Sequence, residues 1–350
     1  MLLYKIINSK VDCPDLLNKI NFHTSIRYSR QNTLFYIDKC NTNSNQNEFI
    51  QRTCNYYNNK FANIDTRADV FTASYCRYRT SLFRNPQGVN FRIQGDTDGE
   101  SQFGEFPWMV AILKADPKNP EKINGYQCGG SLIHPSVVLT AAHCVLNGKR
   151  PLPVSQLKIR AGEWDTQNRK EILPHQDRAI ASNYFHDIAL LFLTEPVQLA
   201  DHIGVVCLPP EAKNAPPARC FASGWGKDLF GKEGRYQVIL KKIELPIVER
   251  AACVAALRKT RLGKEFELHR TFICAGGEAG KDTCRGDGGS PLVCPMPEAP
   301  ERYMQSGIVA WGIGCGEDKT PGVYVNVATL RPWIDDQLYI KNIDMDGLSP

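Results

Sequence analysis

The sequence predicts an all-β body behind a leader of different character, and three observations carry that prediction. Short apolar runs recur along the body: "WMVAIL", "SVVLTAA", "LKIRAG", "DIALLFL", "YQVILKKIEL", "SGIVAWG" and "GVYVNV". They have strand length and β-branched content, and Gly, Pro, Asn and Asp breakers separate them, as in a sandwich or barrel. Only two stretches look helical, "ERAACVAALRKT" and the C-terminal "LRPWIDDQLYI".

Residues 1–84 differ from this pattern. They hold twelve Asn, the run "NTNSNQN" and few periodic apolar segments, so weak order is expected there. Residues 85–92 form a junction, 93–340 the β-rich body and 341–350 a tail. Charge divides at the same place. Residues 1–92 carry 13 Lys+Arg against 6 Asp+Glu, and the remainder 29 against 31. The body is nearly neutral, with no basic face that would point to nucleic acid. No run of 18 apolar residues exists, so no membrane span is expected.

Thirteen cysteines without a CxxC pair favour disulfides over zinc, and hence an oxidising, extracellular compartment. The opening "MLLYKIINSKV" is a poor signal peptide, because Lys5, Asn8 and Lys10 interrupt an apolar core. The expectation is a secreted protein whose true N-terminus is missing.

Three local signals bear on chemistry. "LTAAHCV" sets His143 after an apolar strand, and "FHDIALLFL" sets Asp187 before one, where an unpaired carboxylate is costly. "GDGGSPL" is a Gly-rich turn whose backbone N–H groups can form an anion-binding nest. Each alone is weak. In the order His, Asp, Gly-rich loop, with cysteines interleaved, they are strong.

With "CGGSLI", "LTAAHC", "DIALL", "SGWG", "VAWGIGC" and "PGVYVNV" in register, the chain resembles the chymotrypsin/trypsin family of serine proteases from about Phe91 to Ile340. The resemblance implies a chymotrypsin-like double six-stranded antiparallel β-barrel with a C-terminal helix and a cleft between the barrels. It implies that His143 is the general base, Asp187 its orienting carboxylate and Gly286 an oxyanion-hole donor. Asp282, with Gly312 and Gly322, matches a pocket for Arg or Lys. Asp287 matches the acid that pairs with a new N-terminus, and "FRIQG" resembles the junction cut between Arg92 and Ile93. The implied disulfides are Cys128–Cys144, Cys220–Cys294, Cys253–Cys274 and Cys284–Cys315. Cys207 is left over, with Cys76 as its candidate partner. Glu163, Asp165 and Glu171 fall in a loop that binds calcium in relatives; a solvated acidic loop is the plainer reading. No cofactor is required.

The nucleophile position holds Gly288. The family's C-x-G-D-S-G-G-P-L is here C-R-G-D-G-G-S-P-L, Cys284 to Leu292. Ser290 lies two residues on, up to about 7 Å along the chain, whereas proton transfer to His143 needs about 3 Å. Ala310 also replaces a supporting serine before "WG". These departures, with "FGEFPWMVAIL", "AGEWDT" and "CFASGWGKDLFGKEGRYQVILKK", resemble the arthropod clip-domain serine protease homologues, the masquerade-like proteins. The resemblance implies a non-catalytic cofactor of prophenoloxidase activation and melanisation in haemolymph, with prophenoloxidase and cascade proteases as partners and oligomerisation left open. Two rival readings stand beside it: an active trypsin-like protease, and a decoy that holds basic peptides at Asp282. Two further departures matter. Residues 1–84 hold four cysteines, none adjacent, so no clip domain is recognisable. "ASNYF" before His186 is about a dozen residues shorter than the family's segment, which predicts an incomplete first barrel.

Overall fold

The computed structural model describes residues 99–343, apart from 118, 120, 121, 149, 168–172, 187, 211–218, 229, 230, 232 and 298, together with two short strands nearer the N-terminus. Of 183–186 and 301 it describes the backbone alone. The two early strands, β1 (Asn21–Phe22) and β2 (Phe35–Tyr36), pair antiparallel. They belong to a separate compact unit, Met1–Ala73 with Asn85–Val89. Otherwise the leader, with Cys13, Cys40, Cys54 and Cys76, lies outside the described residues, as does the Arg92–Ile93 junction.

The body contains two closed six-stranded antiparallel barrels, the architecture implied by the resemblance. The first uses β3 (Met109–Ala115), β4 (Ile123–His134), β5 (Val137–Ala141), β8 (Leu157–Ala161), β9 (Gln176–His186) and β10 (Ile188–Leu193). They close in the order β10-β5-β4-β3-β8-β9. A small hairpin, β6 (Leu146–Asn147) with β7 (Arg150–Pro151), sits beside it. Strand β8 alternates buried and half-buried residues, the period of two expected of a barrel wall. All of β10 is buried.

The expected gap in this barrel is absent. Strand β9 serves two ladders: Gln176–Ala179 pair with β8, and Ile180–His186 pair with β10. The ladder with β10 ends at the pair His186 and Ile188. One eleven-residue strand therefore turns the corner and closes the wall, which removes an unpaired edge that would be costly to bury. The shortened segment is sufficient because Gln176–His186 itself supplies the sixth strand, paired with β8 at one end and with β10 at the other.

The second barrel joins β11 (Arg219–Gly224), β12 (Lys241–Val248), β13 (Phe272–Gly276), β14 (Pro291–Met296), β15 (Ala299–Trp311) and β16 (Pro321–Asn326) in the order β11-β12-β13-β16-β15-β14. Helix α1 (Arg250–Arg258) follows β12, and its first turn is capped by Glu249, which accepts from Ala252 N at 3.1 Å. Helix α2 (Val327–Ile340) is capped by Asn326, which accepts from Thr329 N at 3.3 Å. Neither is long and apolar enough to cross a membrane.

One core cluster draws residues from both barrels and holds the fully buried Trp108 and Trp225, and a second, within the second barrel, holds the fully buried Tyr324. Removing each from water contributes about 2–3 kcal/mol or more. Between the barrels, buried Ser131 on β4 donates to Gln305 Oε1 on β15 at 2.6 Å. Gln305 in turn donates to Gly307 O. A buried polar pair satisfied in this way holds the two walls of the cleft in register. Disulfides Cys128–Cys144, Cys220–Cys294, Cys253–Cys274 and Cys284–Cys315 are closed. Cys207 is disulfide-bonded as well, to a residue outside those described, so its assignment to Cys76 lies outside them too.

Candidate functional site

His143 stands in a single 3-10 turn, Ala142–Cys144, that follows β5. The Cys144–Cys128 bond ties that turn to β4. Its ring is exposed on the cleft side, yet the protein around it lowers its pKa by desolvation. Crowding on the ring's inner side sets that direction, whatever its outer edge shows to solvent. His143 makes no hydrogen bond among the described residues. Asp187, expected to orient it, lies outside those residues.

The Gly-rich loop comes from the second barrel and is pinned along its length. Lys227 N donates to Arg285 O at 2.9 Å, Asp287 N to Cys284 O at 3.0 Å, and Ser290 N to Asp287 O at 3.0 Å. Gly129 N, on the first barrel, donates to Gly288 O at 3.0 Å. Gly286 and Gly289 have φ of +105° and +80°, conformations that only glycine adopts without strain. Cys284–Cys315 fixes the loop's start.

At Gly288 the two barrels meet. A Cβ built on it would lie 2.5 Å from His143 Nε2, closer than any real contact. The imidazole occupies space that a side chain at 288 would need. Ser290, the loop's serine, is fully buried. Its Oγ faces Gly129 and Gly224, 2.0 and 3.3 Å from where their Cβ atoms would be. The Tyr126 hydroxyl also approaches it, but without hydrogen-bond geometry, so both oxygens stay without a partner among the described residues. No substrate carbonyl reaches Ser290 in this packing.

Asp287 is held inward, Oδ1 accepting from Gly226 N at 2.8 Å and Oδ2 from Cys284 N at 2.9 Å. Burial raises its pKa against the lowering effect of those two bonds. Asp282 accepts from Thr283 N at 2.8 Å and Gly316 N at 3.2 Å. Burial pushes its pKa up to about 6, its two backbone bonds oppose the shift, and the Asp287 charge adds to it. Gly322 faces this carboxylate, since a Cβ there would stand 3.0 Å from Asp282 Oδ1. Gly312 has open space, its Cβ meeting nothing nearer than Gly314 O at 3.7 Å. A cavity of about 620 Å³ behind the loop borders both Asp282 and Asp287, with Ser223, Lys227 and Lys241 on its wall.

Glu163 is buried and ion-paired with Arg160 at 2.9 Å. Asp165 accepts from Gln167 N within its own turn, and Glu171 lies outside the described residues. Sequence reasoning missed Tyr236 and Lys227. Tyr236 packs on Gly286, whose Cβ would meet its ring at 2.6 Å. Lys227 Nζ lies 5.7 Å from the centre of that ring. Nothing in their local sequence marks them, because their role arises from a bridge between the 227 and 236 segments.

Comparison with known proteins agrees with this geometry. The Trypsin family model matches residues 97–334. Phenoloxidase-activating factor 2 of Galleria mellonella is 62% identical over 278 residues, covering 75% of this chain and 90% of that protein. Inactive CLIP domain-containing serine protease A28 of Anopheles gambiae is 42% identical over 248 residues, 68% of this chain and 62% of the relative. Protein masquerade of Drosophila melanogaster is 35% identical over 263 residues, 72% of this chain and 24% of the relative. The chain belongs to the trypsin family and, within it, to the clip-domain serine protease homologues.

Proposed function

We propose that this chain is a secreted, non-catalytic serine protease homologue that serves as a binding cofactor in a phenoloxidase-activating cascade of arthropod haemolymph. One observation carries the reading. The nucleophile position is glycine, and His143 Nε2 fills the space beside it. Acyl transfer of this type begins with a hydroxyl or thiol within about 3 Å of the base, and removing the serine of such a triad costs about 10⁶-fold in turnover. What remains is binding apparatus: a pinned loop, a half-buried carboxylate at Asp282 and a cleft between two barrels. The likeness to a protein named phenoloxidase-activating factor 2 supports the cascade, and the disulfides support an oxidising compartment.

The test is a reconstitution with the full chain, a cascade protease and prophenoloxidase. Phenoloxidase activity is expected to rise only when the chain is present. The chain alone is expected to leave Arg and Lys esters intact and to resist serine-directed phosphonates. Turnover above background, or stoichiometric labelling at Ser290, sinks the non-catalytic reading. No rise in phenoloxidase activity sinks the cofactor role.

A further inference from the structure

The charges of the nearly neutral body are not evenly spread. Residues 250–270 hold six Lys and Arg against two Glu, while the whole of 93–350 holds 29 against 31. This stretch folds as one lobe. Helix α1 buries Cys253 and Leu257 against Leu268 and Cys274 in a small apolar cluster, which the Cys253–Cys274 bond closes. Arg258 Nε donates to Phe266 O at 2.9 Å and so ties the base of the loop 259–265, within which Gly263 turns the chain at φ +81°. Arg250 donates to Leu268 O and, at 3.3 Å, to Phe272 O, which lays the returning segment beside the first turn of α1. Of the two acids, Glu267 is paired with Arg258. Lys259, Arg261, Lys264 and Arg270 are exposed and make no hydrogen bond or ion pair among the described residues. Lys259 at the end of α1 suits the helix dipole, but the other three lie beyond the helix and have no such reason to be basic.

We propose that this lobe is a docking site for a linear sulfated polysaccharide. The nine residues of α1 span about 13 Å. Lys259, Arg261 and Lys264 stand at one end of that length, with Arg250 and Arg270 at the other. A row of this length meets several charges of one polyanionic strand, whereas a single small anion would meet one or two. The surface suits a polysaccharide better than a protein. None of the large exposed apolar side chains among the described residues, Tyr236, Tyr339 and Ile340, lies in the lobe, and the centre of a protein interface is apolar and poor in Lys. A sulfated strand needs no apolar seat, because it gains by releasing counterions as unpaired cations replace them. The disulfides support an extracellular compartment, where such polymers are met. The inference goes beyond the cofactor role and does not depend on it.

Calorimetry on the full chain with heparin as the probe, at about 0.15 M salt, decides the matter. Lys259→Gln, Arg261→Gln and Lys264→Gln combined are expected to weaken binding about tenfold or more and to flatten its salt dependence. Their urea midpoint is expected to match the wild type, since these side chains hold no other group. The basic leader supplies the control for net charge. Arg52→Gln, Lys60→Gln and Arg67→Gln combined are expected to bind heparin as the wild type does. Hyaluronan, which carries carboxylates without sulfates, and polyglutamate are each expected to bind about tenfold or more weakly than heparin. Absence of heparin binding by the wild type overturns the inference, as does wild-type affinity in the lobe variant or an equal loss in the leader variant. Polyglutamate binding as tightly as heparin overturns it too, and would make the ligand an acidic protein segment.

Discussion

At position 288 a single missing side chain changes what its neighbours do. His143 Nε2 stands where a side chain at 288 would lie, and the serine two residues on is packed against Gly129 and Gly224, away from the cleft. Asp282 shows the opposite tendency, since it keeps a charge-bearing role under a desolvation penalty. Its carboxyl titrates near 3.8 when exposed and at about 6 in the fold. The folded state therefore holds a proton that the unfolded chain has released, and stability falls as pH rises from about 4 to about 6. Asp282→Asn is expected to flatten that limb and to raise the unfolding free energy at pH 7.5 by on the order of 2 kcal/mol. In the wild type, benzamidine binding is expected to strengthen as pH rises through about 6, because only the ionised carboxylate pairs with an amidinium. Urea unfolding and calorimetry across pH 4–8 check both. A stability limb of the same slope in Asp282→Asn would assign the titration to another group.

Among the elements, β9 decides whether the first barrel exists. Its first four residues pair with β8 and the rest with β10, so the wall closes only if one strand bends through both ladders. Ile180 sits at the changeover and is buried. Ile180→Ala is expected to cost about 2–5 kcal/mol, the usual range for emptying a buried aliphatic site. Val197→Ala, in the loop after β10, is expected to cost less, since it removes two carbons rather than three. Urea midpoints of the two variants compare the positions. An Ile180→Ala loss below about 1 kcal/mol would show that the corner is not the barrel's weak point. Strands such as β5 and β10 were legible in the sequence, because near-continuous apolar runs of five or six residues between breakers are the length of buried strands and too short for ordinary helices. The closure was not legible. Segment length shows how many residues are available but not that Gln176–His186 extends into the sixth strand.

Across the whole molecule, the site is an agreement between two barrels. His143 comes from the first, Gly288 and Asp282 from the second, and Gly129 N to Gly288 O bridges them. Rebuilding "GDSGGPL" by Gly288→Ser with Ser290→Gly tests how much of the apparatus remains. The new Cβ must displace the His143 ring, which makes no hydrogen bond among the described residues to guide it back. The double variant is expected to gain Arg-specific esterase activity about 10⁴-fold below that of a full triad, the cost of an unoriented imidazole. Stopped assays with an Arg ester read it. Full turnover would show that His143 is oriented once a serine is restored, and no activity at all would show that the ring does not yield.

The sequence by itself determined which atoms the cleft can contain. Gly288 carries no nucleophile in any conformation, and the positions of Asp282, Gly286 and the cysteines follow from motif register along one chain. Tertiary structure decided what occupies the space left behind. It brought His143 Nε2 into the slot, buried Ser290, laid Tyr236 on Gly286 and closed the first barrel through β9. The reason is physical. A side chain's absence is a covalent fact, local to one residue. The filling of a void is settled by packing among segments far apart in sequence.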